Sequence, residues 1–427
     1  MIMTSTQEPI RLRFDNGRVR VAGEIIAGHV DLNVALAQEL HIQRLWIKLR
    51  GVVKTRIKVS GEEPDINSVT LIREKQSLWT AGSAFPEPGS QILSCHFQFQ
   101  LPETLPPSFH SSDSSFHAGV ISYSLEAVAE KHGRFRANHQ VRRLFSVVPA
   151  ASSDQLLAKE SLRDGWTGKW RGIKQEKKMR NGIWGDYSHA HAILSIPDLP
   201  SYPINTPIPF RLQISTETKL VHRSDRPEKH GKPLFPAPPT YLSQVKGTLR
   251  RVTEIIVRDK TRHQTNTFDL PLTQGLENAE MERVRLLWDT QAVVDEPRWI
   301  PRDKDHGIWK RSALFTPTLI FAIPPSHSTE ALEWQYELHF VVLFPGMGND
   351  LKLWTPIHLN ASSACPGPPG ATDSSLPLPK IYLPPVYWSG KDHDWGDDTE
   401  DSDTAFTASD AVNVVQVVGA IIGLVTS

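Results

Sequence analysis

Residues 95–130 read CHFQFQLPETLPPSFHSSDSSFHAGVISYSLEAVAE. Phe97, Phe99 and Leu101 alternate with polar neighbours, and Ile121, Tyr123, Leu125 and Ala127 repeat the alternation further on. A period of two places each set on one face of a half-buried sheet. Between the two runs, Pro106 and Pro107 fix φ and remove two ladder donors, which ends the first strand. The following SFHSSDSSFH reads as an irregular crossover into the second.

The same period extends in both directions. Upstream, Val30, Leu32 and Val34 alternate with Asp31 and Asn33, and Leu45, Ile47 and Leu49 alternate with Trp46, Lys48 and Arg50, so residues 8–150 are expected to form one β-sandwich. Downstream, a second set begins near Ile193 with Phe210, Leu212 and Ile214. It continues through Val245–Val257 and the run Trp334, Tyr336, Leu338, Phe340 and Val342. The expected fold is all-β, two immunoglobulin-type sandwiches in tandem, the second spanning 191–360 with long loop insertions. Helical periodicity is scarce, and Asp154–Asp164 (DQLLAKESLRD) is the best helix candidate. Polar and proline-rich stretches at Ser60–Ser90 and Leu220–Thr240 read as loops. Residues 361–427 have the composition of a disordered tail.

Charge and cysteine content narrow the function classes. Among 427 residues, 47 Lys plus Arg balance 47 Asp plus Glu, which gives no reason to expect a nucleic-acid partner. Cys95 and Cys365 stand far apart with no metal-ligand spacing around either, so neither a disulfide framework nor a zinc site is indicated, and a reducing compartment fits. The opening MIMTSTQEPIRLRF lacks a basic region followed by an apolar one, so secretion through a signal peptide is not expected. Seventeen histidines invite a search for an active site, but His189–His191 and Asp392–Asp394 lack further ligands at useful spacing. No GxSxG, HExxH or P-loop pattern occurs, and the reading is of a non-enzyme with no cofactor or metal.

The segments so far quoted carry a resemblance. IRLRFDNGRVRVAGEIIAGHVDLNV, with Gly23-Glu24 and Gly28, and HIQRLWIKLRGVV after it, resemble the opening of the arrestin-like N-terminal domain. The order phenylalanine strand, LP turn, PPSFH and ISYSLEA resembles fungal α-arrestins and their animal arrestin-domain relatives most specifically. FRLQISTETK, VKGTLRRVTEIIV, LEWQYELHFVV and LWTPIHL resemble the arrestin C-domain more loosely, so that the likeness spans Ile10 to Leu359. It implies an adaptor that binds cytoplasmic tails or loops of membrane transporters or receptors and delivers a ubiquitin ligase to them. The implied location is the cytoplasm, with recruitment to plasma membrane or endosomes. The alternative is a ubiquitin-independent sorting scaffold of the same fold, as in retromer subunits that resemble arrestins.

Beyond the sandwiches stands LPPVYW, in which Leu383, Pro384, Pro385 and Tyr387 match the PPxY pattern read by WW domains. Such a segment is biased toward the polyproline helix, so little further entropy is lost when it enters an aromatic groove. The partner so implied is a WW-domain HECT-type ubiquitin ligase. A second copy, Pro238, Pro239 and Tyr241, competes with a plainer reading, because Tyr241 shares parity with Val245 and Leu249 and so points into a core. LPSY at Leu199–Tyr202 is weaker again.

Between the sandwiches, residues 151–190 are expected to be a basic linker. Lys169, Arg171, Lys174, Lys177, Lys178 and Arg180 are its candidate contacts for acidic partners or, peripherally, anionic lipid. An acidic run from Asp392 to Asp403 follows the LPPVY segment and could fold back on these cations. The final AVNVVQVVGAIIGLVTS is short for a membrane span; a strand on a sandwich edge and a shallow membrane contact are open readings.

Overall fold

A computed structural model describes residues 8–113, 117–131, 138–180, 187–229, 232–233, 237–272, 278–289, 291–345 and 348–365. The strands of four or more residues are numbered here in chain order. In the first domain they are β1 (Ile10–Arg13), β2 (Ile25–Asn33), β3 (Ile42–Ile57), β4 (Asp65–Thr80), β5 (Ile92–Gln100), β6 (Phe109–Asp113), β7 (His117–Lys131) and β8 (His139–Phe145). One sheet has the order β1-β2-β5; the other has β4-β3-β7, with β6 and β8 sharing the far edge of β7. Val30, Leu32, Phe97 and Phe99 from the first sheet and Leu45, Ile47, Leu49, Ile121, Tyr123 and Leu125 from the second are buried in the core. The alternation read from the sequence is the alternation of burial.

The second domain contains β9 (Trp170–Arg180), β10 (Tyr187–Pro197), β11 (Arg211–Glu217), β12 (Val245–Val257), β13 (Lys260–Asp269), β14 (Arg298–Pro301), β15 (His306–Phe315), β16 (Leu332–Val342) and β17 (Leu351–Ile357). Its sheets run β9-β10-β11-β15, with β14 on β15, and β13-β12-β16-β17. Leu194, Leu212 and Ile214 of one sheet and Leu249, Trp334, Tyr336, Leu338 and Phe340 of the other are buried in its core. Three helices accompany the strands: α1 (Val34–Glu39), α2 (Ser153–Arg163) and α3 (Asn278–Trp288). Helix α2 begins at a capping box in which Ser152 and Gln155 each bond the other's backbone N–H.

The two domains share one device, and it lies in the stretch that opened the sequence reading. The Pro-Pro break carries the chain from β5 to β6, across the sandwich, and leaves the Pro106 carbonyl buried. The Tyr123 hydroxyl donates to it at 2.6 Å. Ser108 then closes a reciprocal pair: its N–H donates to Val147 O at 2.8 Å, and its Oγ accepts from Val147 N at 2.9 Å. The second domain repeats each bond. Tyr336 Oη donates to Pro324 O at 2.8 Å, Ser326 N to Leu359 O at 2.9 Å, and Leu359 N to Ser326 Oγ at 3.0 Å. A short parallel pairing accompanies each, Arg20–Val21 with Val147–Val148 and Tyr202–Pro203 with Leu359–Asn360. IPPSHS at 323–328 is thus the counterpart of LPPSFHS at 105–111, a repeat absent from the sequence reading.

These turns also join the domains. The Phe109 ring stacks on Trp334, with centroids 3.8 Å apart and planes at 15°, and the Arg251 guanidinium lies 4.7 Å from the Phe109 centroid. Thr55 Oγ1 donates to Ile256 O, Ser111 Oγ bonds Gln264, and Asp65 pairs with Lys260 at 2.7 Å and Arg258 at 3.0 Å.

Four expectations change. SFHSSDSSFH is not an irregular crossover: Phe109–Asp113 is β6, paired with β7, because the proline turn ends early enough to leave a strand's length. Within the stretch expected as a loop at 60–90, Asp65–Thr80 forms β4, a strand whose outer positions are polar. Val34 does not continue its strand; Asn33 turns the chain by accepting Leu36 N on its side chain, which caps α1. The basic linker at 151–190 is helix α2 followed by strands β9 and β10 of the second sandwich, since Ile173 and Met179 share a parity that faces inward.

Candidate functional site

Leu383, Pro384, Pro385 and Tyr387 lie outside the described residues, as do the acidic run and the apolar segment 411–427. The described chain ends on the first domain. After Leu359–Asn360, Ala361 and Ser362 remain buried, Ser363 O accepts from Ala151 N at 2.8 Å, and Lys159 Nζ of α2 donates to Ser362 O at 2.5 Å. Cys365 sits against Gly23 and Glu103, and burial, with Glu24 and Glu103 nearby, pushes its thiol pKa up. The boundary expected at 361 therefore falls a few residues early.

The second PPxY segment is stitched into the fold. Pro238 is buried, Pro239 half-buried, and Tyr241 48% exposed. Tyr241 does not point into the core as its parity suggests, because a 3-10 turn at Leu242–Gln244 breaks the count and gives the core position to Leu242. Thr240 O accepts from Ala292 N, Tyr241 bridges Gln291, and Gln244 Oε1 takes the N–H groups of both Thr240 and Tyr241. An aromatic groove that needs a bare polyproline helix meets here a backbone already bonded on both sides.

The six candidate cations fall into two rows around β9. Arg171 and Lys177 lean inward and donate to carbonyls of β17 and its approach, Pro356 O at 3.5 Å and Asp350 O at 2.9 Å. Lys174, Lys178 and Arg180 stand on the outer face, and Lys169 is exposed just before the strand. Lys178 Nζ lies 4.2 Å from the Tyr187 centroid and Arg180 5.4 Å.

On that outer face Glu176 stands between His189 and His191, at 3.5 and 3.6 Å, and Glu217 joins His191 at 3.7 Å to Lys310 at 2.8 Å. Burial pushes the Glu217 carboxyl up, but the Lys310 bond and the surrounding cations more than offset this and hold it below its ordinary value. Among the described residues no group of three or more His, Cys, Asp or Glu is placed to hold a metal ion, and no helix is long and apolar enough to cross a membrane. Sequence reasoning missed both this histidine–glutamate face and the interdomain stack. The signal for the first was the parity of Glu176 with Lys174 and Lys178; the second had none.

Residues 10–153 match the family model of the arrestin (or S-antigen) N-terminal domain. A comparison with curated proteins yields no match.

Proposed function

From that arrestin N-terminal domain we propose that this arrestin-domain protein is a trafficking adaptor of the α-arrestin kind. The two sandwiches hold cytoplasmic parts of membrane cargo, and Leu383–Tyr387 recruits a WW-domain HECT-type ubiquitin ligase. Catalysis belongs to the ligase. The adaptor works from the cytoplasm and is brought to plasma membrane or endosomes by its cargo.

The observation that carries this reading is the match of residues 10–153 to the arrestin N-terminal domain, joined by the PPxY pattern at Leu383–Tyr387. Pro238–Tyr241 is bonded into its domain, which leaves Leu383–Tyr387, 18 positions after Cys365 in the sequence, as the proposed docking segment. Those positions span about 60 Å when extended. The repeated Pro-Pro-Ser turn supports the tandem domain pair, and the outward Lys174, Lys178 and Arg180 supply a surface for acidic cargo segments.

Capture of the full chain by a panel of isolated WW domains tests the proposal. Binding is expected for the native chain and for Tyr241→Ala and is lost in Tyr387→Ala. Capture that survives Tyr387→Ala combined with Tyr241→Ala would leave only a cargo-holding scaffold.

A further inference from the structure

Strand β9 is the outermost strand of its sheet, and its free edge, met before Arg180 among the described residues only by Gln175 Nε2 on Glu176 O at 3.2 Å, can be followed bond by bond. Lys169 O accepts from Asp198 N at 2.8 Å on the β10 side, so odd residues turn their backbone toward β10. Even residues face away. Arg180 N donates to Asn349 Oδ1 at 3.3 Å and Arg180 O accepts from Asn349 Nδ2 at 3.0 Å, a side-chain amide standing where another strand would. Before that cap, Gly172, Lys174, Glu176 and Lys178 bring N–H and C=O groups to an edge with no backbone partner among the described residues. All four are exposed. A row of this kind is a template for strand addition.

The side chains on the row select what can be added. In order they read Lys174, Glu176, Lys178, positive, negative, positive. The acidic run after the LPPVY segment reads, at alternate positions, Asp397, Thr399, Asp401, with the neutral residue in the middle. We propose that residues 397–401 add to β9 as a further strand, Thr399 opposite Glu176 and the two aspartates opposite the two lysines. Opposite charges facing each other across a pair are favourable and like charges are not. Asp394, Gly396 and Asp398 offer the same order of charge, and Thr399, a better strand former than Gly396, favours the register with Thr399 opposite Glu176. The match holds in either strand direction. Run antiparallel, it also sets Asp398 against Lys177; run parallel, it sets Glu400 there, and in both the added strand stops short of the Asn349 cap at Arg180.

Reach does not limit the contact, because the 27 positions from Cys365 to Asp392 extend to about 90 Å. The inference goes beyond the adaptor reading and stands without it. Where both hold, pairing keeps Tyr387, five positions before Asp392, beside the sheet, and an acidic competitor for β9 releases it.

Amide hydrogen exchange on the full chain tests the proposal. In the native protein the edge amides of residues 172–178 exchange about tenfold more slowly than in Asp397→Lys/Asp401→Lys, the scale that a few exposed ion pairs on a tethered segment provide. Lys174→Glu/Lys178→Glu abolishes the protection, and combining both pairs of reversals restores it. Protection is independent of protein concentration and weakens at high salt. All these residues lie on the surface or outside the sandwiches, so melting temperature serves as the control for folding. Equal exchange in the native chain and the tail variant overturns the proposal. So does protection that appears at another strand, or that rises with concentration as a second copy would cause.

Discussion

Replacing Tyr336 or Tyr123 by Phe removes one oxygen from a buried site and leaves the ring in place. At Tyr123 the change deletes a 2.6 Å bond and strands the Pro106 carbonyl, which is buried with its turn. A lost bond of this kind costs about 1 kcal/mol net, and an acceptor left without a partner brings the total to about 1–3 kcal/mol. Tyr336 is 1% exposed, and its hydroxyl serves the Arg251 guanidinium as well as Pro324 O. Burial has pushed its pKa up to about 12, so the group is a neutral donor throughout the physiological range. With a charged partner also affected, Tyr336→Phe is expected to cost about 2–3 kcal/mol, more than Tyr123→Phe. For domains of this size each kcal/mol lowers the melting temperature by about 2–4 °C. Calorimetry should therefore show a drop of about 2–12 °C for Tyr123→Phe and of about 4–12 °C for Tyr336→Phe, the latter the larger of the two. Melting temperatures unchanged in both variants would refute the view that these hydroxyls hold the proline turns.

Phe109→Ala opens a cavity against Trp334 across the domain boundary; a loss of about 3–5 kcal/mol is expected in denaturant titration, with the two domains no longer unfolding together. Gly28→Ala sets a Cβ 2.5 Å from the Arg13 carbonyl oxygen on the neighbouring strand, and about 1–3 kcal/mol of stability should be lost in the same assay. Burial lowers the pKa of His139, His327 and His358 below the ordinary 6.5, so the unfolded chain binds protons first as pH falls. Stability is then full above 6.5 and declines below it, chiefly through His327, while solvent screens the contribution of the less deeply set His139 and His358. His327→Phe should flatten the pH dependence of the melting temperature.

The core was legible because burial follows period two wherever one face of a strand is packed and the other is wet, as along Leu45–Leu49 and Trp334–Val342. Helix α2 was legible from its apolar spacing and lies one residue from the expected span. What escaped are strands that the core hardly touches. In β4 only Ile72 and Trp79 are buried, so its charged outer residues carried no alternation. In β9 the lysines that resembled a linker are what an exposed sheet edge carries to discourage unwanted pairing. The repeated Pro-Pro-Ser turn was on the page as IPPSHS and LPPSFHS, but its meaning depends on Tyr123 and Tyr336, which arrive from strands more than ten residues further on. The interdomain stack of Phe109, Trp334 and Arg251 joins residues more than 140 positions apart and left no local mark. As for docking, Tyr241 matched the same short pattern as Tyr387, and only the bonds around Thr240 and Gln244 distinguish a stitched segment from a candidate hook.

The most direct test of the central claim is the stoichiometry with which a single WW domain titrates the full chain in a calorimeter. The account expects one site per chain, removed by Tyr387→Ala and kept by Tyr241→Ala. Two equivalent sites, or one site that disappears with Tyr241 and survives the loss of Tyr387, would contradict it.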